Sequence, residues 1–343
     1  MRKVEQHRNI TVNEVAKKAG VSTATVSRVI NNNKGVSGTL QARVRMAIDE
    51  LGYRPNRSAH HLRSGKVKRI GVLFADIRNP FFTSVLAGIE NILYQAEYVL
   101  LLGNSNEDRK IEQMHLQAFI DEGVAGIILA SVSNNIKQYQ QVLNAGIPIL
   151  AIDRCSENLK VDTISINNVQ AAKEATEHLI NLGHRKVAFI GGPKHISTSR
   201  LRQLGYQQAI DEHSDMKAEI ATGDFRQEGG YRAMLELLSK PDRSSAVLVA
   251  NNLMTLGALQ AIIEKKIHVP EEIALVGFDD MPWSTSLEPS LTVVSQPTYE
   301  MGKIAARLLL DRIQNPDHPI QNITLETKLI VRESCGGLKK LKK

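Results

Sequence analysis

The sequence predicts an α/β protein built as an N-terminal three-helix helix-turn-helix headpiece followed by two doubly wound parallel-sheet subdomains. Three observations carry this. Short, near-continuous runs of Val, Ile and Leu alternate with longer helical patterns over most of the chain, as strands buried on both faces of parallel sheets do. This β-α alternation runs about twice over, which suits two sheets better than one long one. Residues 1–68 differ from the rest, with short capped helices, a tight glycine turn and many basic side chains.

Thr11-Val12-Asn13-Glu14 has the form of a capping box, in which Thr11 accepts from the third helical amide and Glu14 reaches back. The helix it opens carries Val12, Val15, Ala16 and Ala19 on one side and stops at Gly20. Ser22 caps a second helix, with Val26, Val29 and Ile30 facing in. Ser37 caps a third, running to about Leu51, with Leu40, Val44, Ala47, Ile48 and Leu51 inward. Two short helices joined by a tight turn, with a third completing the core, form a helix-turn-helix.

The outer face of the second helix holds Thr23, Ala24, Thr25, Ser27 and Arg28. Its hydroxyls can reach phosphates or base edges, Ala24 suits a thymine methyl and Arg28 suits guanine O6 and N7. The charge points the same way. Residues 1–68 hold 14 Lys and Arg against 4 Asp and Glu, and the tail adds four lysines. The whole chain is +7, so the body 69–338 is net negative. A basic head on an acidic body is expected where only the head meets a polyanion. The bland reading is a solvated helix in a small bundle.

After Pro55, Asn56 can cap a short basic segment, RSAHHL, too short to be a stable helix alone. Leu62 at its end could wedge between base pairs in a minor groove, or else pack on the body.

In the body, strand-like runs fall at 69–75, 98–104, 125–131, 147–153, 186–192, 245–251 and 273–279, with helices such as 81–96, 109–122, 168–182 and 252–266 between them. Ligands of such sheets sit beyond the carboxyl ends of the strands. There the sequence places Asp76, Arg78, Asn79 and Phe81, then Ser131, then Asp153 and Arg154, then the 197–202 loop with Arg202, then Asn251 and Asp279. With Phe81, Phe82 and Phe225 as flat walls, these amides, carboxylates and arginines suit a polyhydroxylated ligand. The competing structural reading makes Asp76 and Asp279 helix caps, Arg154 a surface ion pair and Phe82 core.

Residues 10–68, with TVNEVAKKAGVSTATVSRVIN and the segment TLQARVRMAIDELGYRPNRSAHHLRSGK, resemble the headpiece of the lactose-repressor family of bacterial transcription regulators. The resemblance implies that Thr23, Ala24, Ser27 and Arg28 read bases. It makes Thr11, Thr25, Asn31 and Tyr53 backbone contacts, Leu62 the intercalating hinge leucine, and Asn56 and Ala59 further DNA contacts. ADIRNPFF, AIDR, STSRLRQLGY, TGDFRQEGGYRAM, LVANN, ALVGFDD and LTVVSQP are similar to the effector-binding core of the same regulators, itself periplasmic-binding-protein-like. By position, Asp76, Phe81, Arg154, Arg202, Phe225, Asn251 and Asp279 would line the effector pocket. One departure is Asn251-Asn252 where the family usually has Asn-Asp; a weakened helix cap is its expected effect. Trp283 would be a ligand wall or a subdomain contact.

The implied organisation is a headpiece over 1–55, a hinge over 56–66 and a core over 67–337. The first subdomain takes 67–168 and 297–327, the second 169–296 and 328–337. The implied function is a homodimeric, effector-controlled regulator, a repressor of a carbohydrate operon, bound to double-stranded DNA at an inverted-repeat operator. A sugar is the expected effector, with a sugar acid or a purine as alternatives. An activator and a solute-binding protein are the competing functions. No cofactor or metal is expected, since GxxxxGK[ST], HExxH, CxxC and GxSxG are all missing and the ten histidines show no ligand spacing. No enzyme activity is implied. Cys155 and Cys335 read as free thiols. The N-terminus has no apolar signal core and no run approaches about 18 apolar residues, so a cytoplasmic protein without membrane association is expected.

Overall fold

The computed structural model describes residues 11–30, 36–51, 68–132, 135–156 and 158–337. The chain divides into one compact unit within residues 1–67 and a second from Lys68 onward.

In the first unit, α1 (Val12–Ala19), α2 (Thr23–Ile30) and α3 (Gly38–Leu51) close on a small core of Val15, Ala16, Ala19, Val26, Val29, Val44 and Ala47. The capping box forms: Thr11 N–H donates to Glu14 Oε2 at 2.7 Å, and Glu14 N–H donates to Thr11 Oγ1 at 3.4 Å. Gly20 ends α1 in the left-handed region, φ 63°, where a side chain would be strained. Ser22 Oγ accepts from Thr25 N–H at 3.2 Å at the start of α2.

The second unit has two lobes. In the N lobe, β1 (Arg69–Phe74), β2 (Val99–Asn104), β3 (Gly126–Leu129), β4 (Ile149–Ile152), β5 (Asp162–Ile166) and β11 (Asn322–Leu325) form an all-parallel sheet in the order β2-β1-β3-β4-β5-β11. In the C lobe, β6 (Val187–Gly191), β7 (Glu219–Thr222), β8 (Ala246–Val249), β9 (Ala274–Phe278), β10 (Thr292–Ser295) and β12 (Lys328–Ile330) take the order β7-β6-β8-β9-β10-β12. Only β12 runs antiparallel, against β10. The chain leaves β1 for β2 on one side and reaches β3 on the other, and β6 stands likewise between β7 and β8. These are the topological switch points where a crevice opens.

Helices α4 (Pro80–Gln95), α5 (Arg109–Asp121), α6 (Ile136–Asn144) and α11 (Thr298–Gln314) cover the N-lobe sheet; α7 (Asn168–Asn181), α8 (Ser197–Asp211), α9 (Gln227–Leu238) and α10 (Asn252–Glu264) belong to the C lobe. Helix α11 follows a C-lobe strand yet packs on α4, and the two backbones meet at glycines. A Cβ on Gly302 would lie 2.0 Å from Val85 O, and one on Gly88 would lie 2.1 Å from Tyr299 O. The chain passes between lobes after β5, after β10 and between β11 and β12.

Candidate functional site

Helix α2 is held by Val26 and Val29, both buried. This turns Thr23, Ala24 and Arg28 to the outside, with Thr25 and Ser27 half-exposed at the flanks. Thr11 is exposed, but its hydroxyl is engaged in the α1 cap. Asn31, Tyr53, Asn56, Ala59 and Leu62, with the whole 56–66 hinge, lie outside the described residues.

Between the lobes, at the carboxyl ends of both sheets, lies a cleft of about 480 Å³ including its open mouth. Asp76, Phe81 and Arg154 line it from the N lobe and Arg202, Phe225, Asn251 and Asp279 from the C lobe, so all seven core positions named from the sequence meet there. Asn79, Phe82, Glu107, Asp153, Thr198, Arg226, Leu253 and Gln296 complete the wall. Of these, Glu107, Thr198, Arg226, Leu253 and Gln296 escaped the sequence reading. Glu107 and Gln296 follow strands β2 and β10, so the strand-end rule could have found them. Thr198 stands four residues before Arg202 on the same helical face.

The charged groups are paired within the wall. Asp76 accepts two bonds from the Arg78 guanidinium, at 2.9 and 2.7 Å, and one from its backbone N–H. Burial pushes the Asp76 carboxyl up, but these bonds and the Arg78 charge outweigh it and hold it below the usual range. Arg154 is a buried ion pair with Glu107, at 2.6 and 3.1 Å, not a surface one. Arg202 donates to Asn168 Oδ1 at 2.8 Å and Ala250 O at 2.6 Å, and lies 4.3 Å over the Phe278 ring. Burial pushes Asp153 and Asp279 up and Arg202 down, with the opposite charges on each side partly compensating. Four cleft residues, Glu107, Asp153, Phe225 and Asp279, hold φ between 61° and 71°, a region that non-glycine residues seldom occupy.

Among the described residues, only three buried side-chain polar atoms lack a hydrogen-bond partner: Arg154 Nε, Gln296 Oε1 and Ser156 Oγ. The first two line the cleft, one a donor and one an acceptor. Gln296 is oriented by its Nε2 donating to Asp279 Oδ1 at 2.6 Å.

The structure corrects some of the readings offered by the sequence and agrees with others. Asp76 caps no helix; Asn79 caps α4 by accepting from Phe81 N–H at 2.9 Å. Asp279 does not cap the helical turn that follows it; it holds Gln296 and receives the first N–H of α10, from Asn252. Asn251 caps α10 through Met254 N–H at 2.9 Å, so the unusual Asn252 does not weaken the cap. Its amide crosses the cleft to Asn79. Trp283 packs half-buried on the C-lobe core, outside the lining. Phe82 is both core, stacked on Phe74, and wall. Cys155 and Cys335 are free thiols. No described helix is long and apolar enough to cross a membrane.

Comparison with known proteins follows these units. Residues 11–56 match the model of bacterial regulatory proteins of the lacI family, and residues 176–335 match a periplasmic binding protein-like domain. The ribose operon repressor of Haemophilus influenzae is 33% identical over 331 residues, 96% of this chain and 99% of its own length. The HTH-type transcriptional repressor PurR of the same species is 32% identical over 335 residues, with 96% and 99% covered. Among solved structures, a lac repressor dimer bound to operator and the anti-inducer ONPF superposes with a TM-score of 0.81 at 27% identity, covering 96% of this chain and 99% of that one. With a helix-turn-helix, two doubly wound lobes and relatives of this identity along nearly the whole length, the chain belongs to the lacI family of bacterial regulatory proteins, DNA-binding regulators of transcription.

Proposed function

We propose that this regulator is a cytoplasmic, homodimeric repressor of a carbohydrate operon, released or engaged by a neutral polyhydroxylated effector in the interlobe cleft. Thr23, Ala24, Ser27 and Arg28 read operator bases. Thr11, Thr25, Asn31 and Tyr53 contact the backbone, and the hinge with Asn56, Ala59 and Leu62 enters the minor groove of an inverted repeat. Asp76, Phe81, Arg154, Arg202, Phe225, Asn251 and Asp279 bind the effector, joined by Gln296.

One observation carries the effector class. Arg154 Nε and Gln296 Oε1 are a donor and an acceptor without hydrogen-bond partners, buried in the lining of one cleft, the first following an N-lobe strand and the second a C-lobe strand. A hydroxyl both accepts and donates, so a polyol satisfies the two together. An anion is less suited, because Arg154 already faces Glu107 and Asp153, while Arg202 is bound to Asn168 and Ala250. The similarity to the ribose operon repressor agrees with a sugar; the similarity to the purine repressor keeps a base as the outcome to exclude.

Thermal unfolding with D-ribose and a panel of neutral sugars, against sugar acids and purine bases, tests this. A neutral sugar is expected to raise the midpoint, and Gln296→Met is expected to weaken its binding by about 3- to 10-fold, the loss of one neutral hydrogen bond. Stabilisation by purines or sugar acids alone would overturn the effector class, and genomic DNA captured without an inverted repeat would overturn the operator.

A further inference from the structure

We infer that Asn252 is a positioning residue that sets the resting closure of the cleft, because its side-chain amide fastens the C lobe to Asn79 of the N lobe. Asn252 Nδ2 donates to Asn79 Oδ1 at 2.8 Å, and both residues are buried. A second bond between the lobes, Arg226 Nη2 to Asn106 O at 3.0 Å, lies at the exposed rim. The amide pair is therefore the sheltered fastening, in the less polar surroundings where a hydrogen bond counts for more.

Each amide is oriented by the backbone of its own lobe. Asn79 Oδ1 also accepts from Phe81 N–H, as the cap of α4. Turning that amide over would place NH₂ against the Phe81 N–H and undo the cap. Towards the cleft, Asn79 thus offers only an acceptor. Asn252 is fixed in the same way, its Oδ1 accepting from Leu253 N–H at 2.7 Å, while its NH₂ donates to Met281 Sδ at 3.3 Å in its own lobe and across the cleft to Asn79. Residue 252 must therefore be a donor, and an aspartate there would set oxygen against oxygen. This accounts for Asn251-Asn252 in place of Asn-Asp. The same residue supports Asp279, whose carboxylate receives the Asn252 backbone N–H. Asn252 thus joins a wall carboxylate to the opposite lobe.

The interlobe fastening rests on the effector reading only for its consequence, so the test uses no ligand. Amide hydrogen exchange would be followed in the full-length protein and in the variants Asn252→Asp, Asn79→Asp and the double substitution. Asn252→Asp is expected to speed exchange in both walls, 76–82 and 251–256, by about tenfold as the buried bond is lost. Asn79→Asp keeps the cap and offers a charged acceptor to Asn252, so exchange should slow in both walls. The double variant, with two facing carboxylates, should exchange fastest. A purely local effect would have the opposite sign in α10, since a negative charge in the first turn favours the helix. Unchanged or slower exchange in either wall of Asn252→Asp, or faster exchange in Asn79→Asp, would overturn the proposal. The Asn79→Asp arm keeps the test decisive if Asn252→Asp does not fold.

Discussion

At Glu272 a single surface carboxylate organises the turn between α10 and β9. It accepts from the His268 backbone N–H at 2.9 Å and pairs with the His268 ring at 2.8 Å and Arg243 at 3.0 Å. The His268 backbone and ring bonds, with the Arg243 charge, push its pKa down to about 2 from 4.5. A carboxylate with a lower pKa in the folded state contributes stability above the unfolded value and loses it as pH falls through the folded value. Glu272→Gln is therefore expected to unfold at the same pH 2 midpoint temperature as the parent but at a lower one near pH 6. Parallel acid limbs for the two proteins would refute this. The effect is small because solvent screens an exposed pair. Single residues at strand ends were readable because the rule that places ligands there is geometric. Asn252 was read as a defect because its partner stands 173 positions away, in the other lobe.

Among elements, the crossing of α4 and α11 is one of the tight constraints on substitution. Val85 O is backbone and has no rotamer through which to yield to a Cβ at Gly302. Gly302→Ala is expected to lower stability by about 1–3 kcal/mol in urea unfolding, as overpacking does. Gly38→Ala has no atom within 4 Å of its Cβ and should stay within about 0.5 kcal/mol of the parent. Equal effects at the two sites would refute the close approach. Element legibility followed burial except at β2, whose apolar run at 98–104 reads as a strand although Val99 and Leu102 are exposed. The apolar runs at 69–75, 125–131, 147–153, 186–192, 245–251 and 273–279 hold β1, β3, β4, β6, β8 and β9, whose side chains are almost wholly buried. Strands β7, β11 and β12 have half-exposed or exposed positions and lack a continuous apolar signature. Strand β10 is buried but only four residues long, and missing it hid Gln296.

The whole molecule is electrostatically divided, with the basic excess in residues 1–68 and the tail and the acidic excess in the body. Binding to any duplex should weaken steeply with salt, the logarithm of affinity falling by about 0.9 per phosphate neutralised for each unit of log salt. Fluorescence anisotropy with a labelled duplex measures this, and a flat response would remove the headpiece as the polyanion-binding face. The repeated passage of the chain between lobes also shapes how the molecule can be synthesised. The N-lobe face built from Ile70, Val72, Phe74, Ile128 and Leu150 is covered in part by Met301, Ala305 and Leu309 of α11, and its sheet ends in β11. During translation, that apolar face waits for about 150 further residues after β5 has left the ribosome, while the headpiece, whose third helix ends at Leu51, can fold long before. The first lobe to be translated is therefore completed almost last, and nascent chains stalled between β5 and α11 would be natural clients for chaperones.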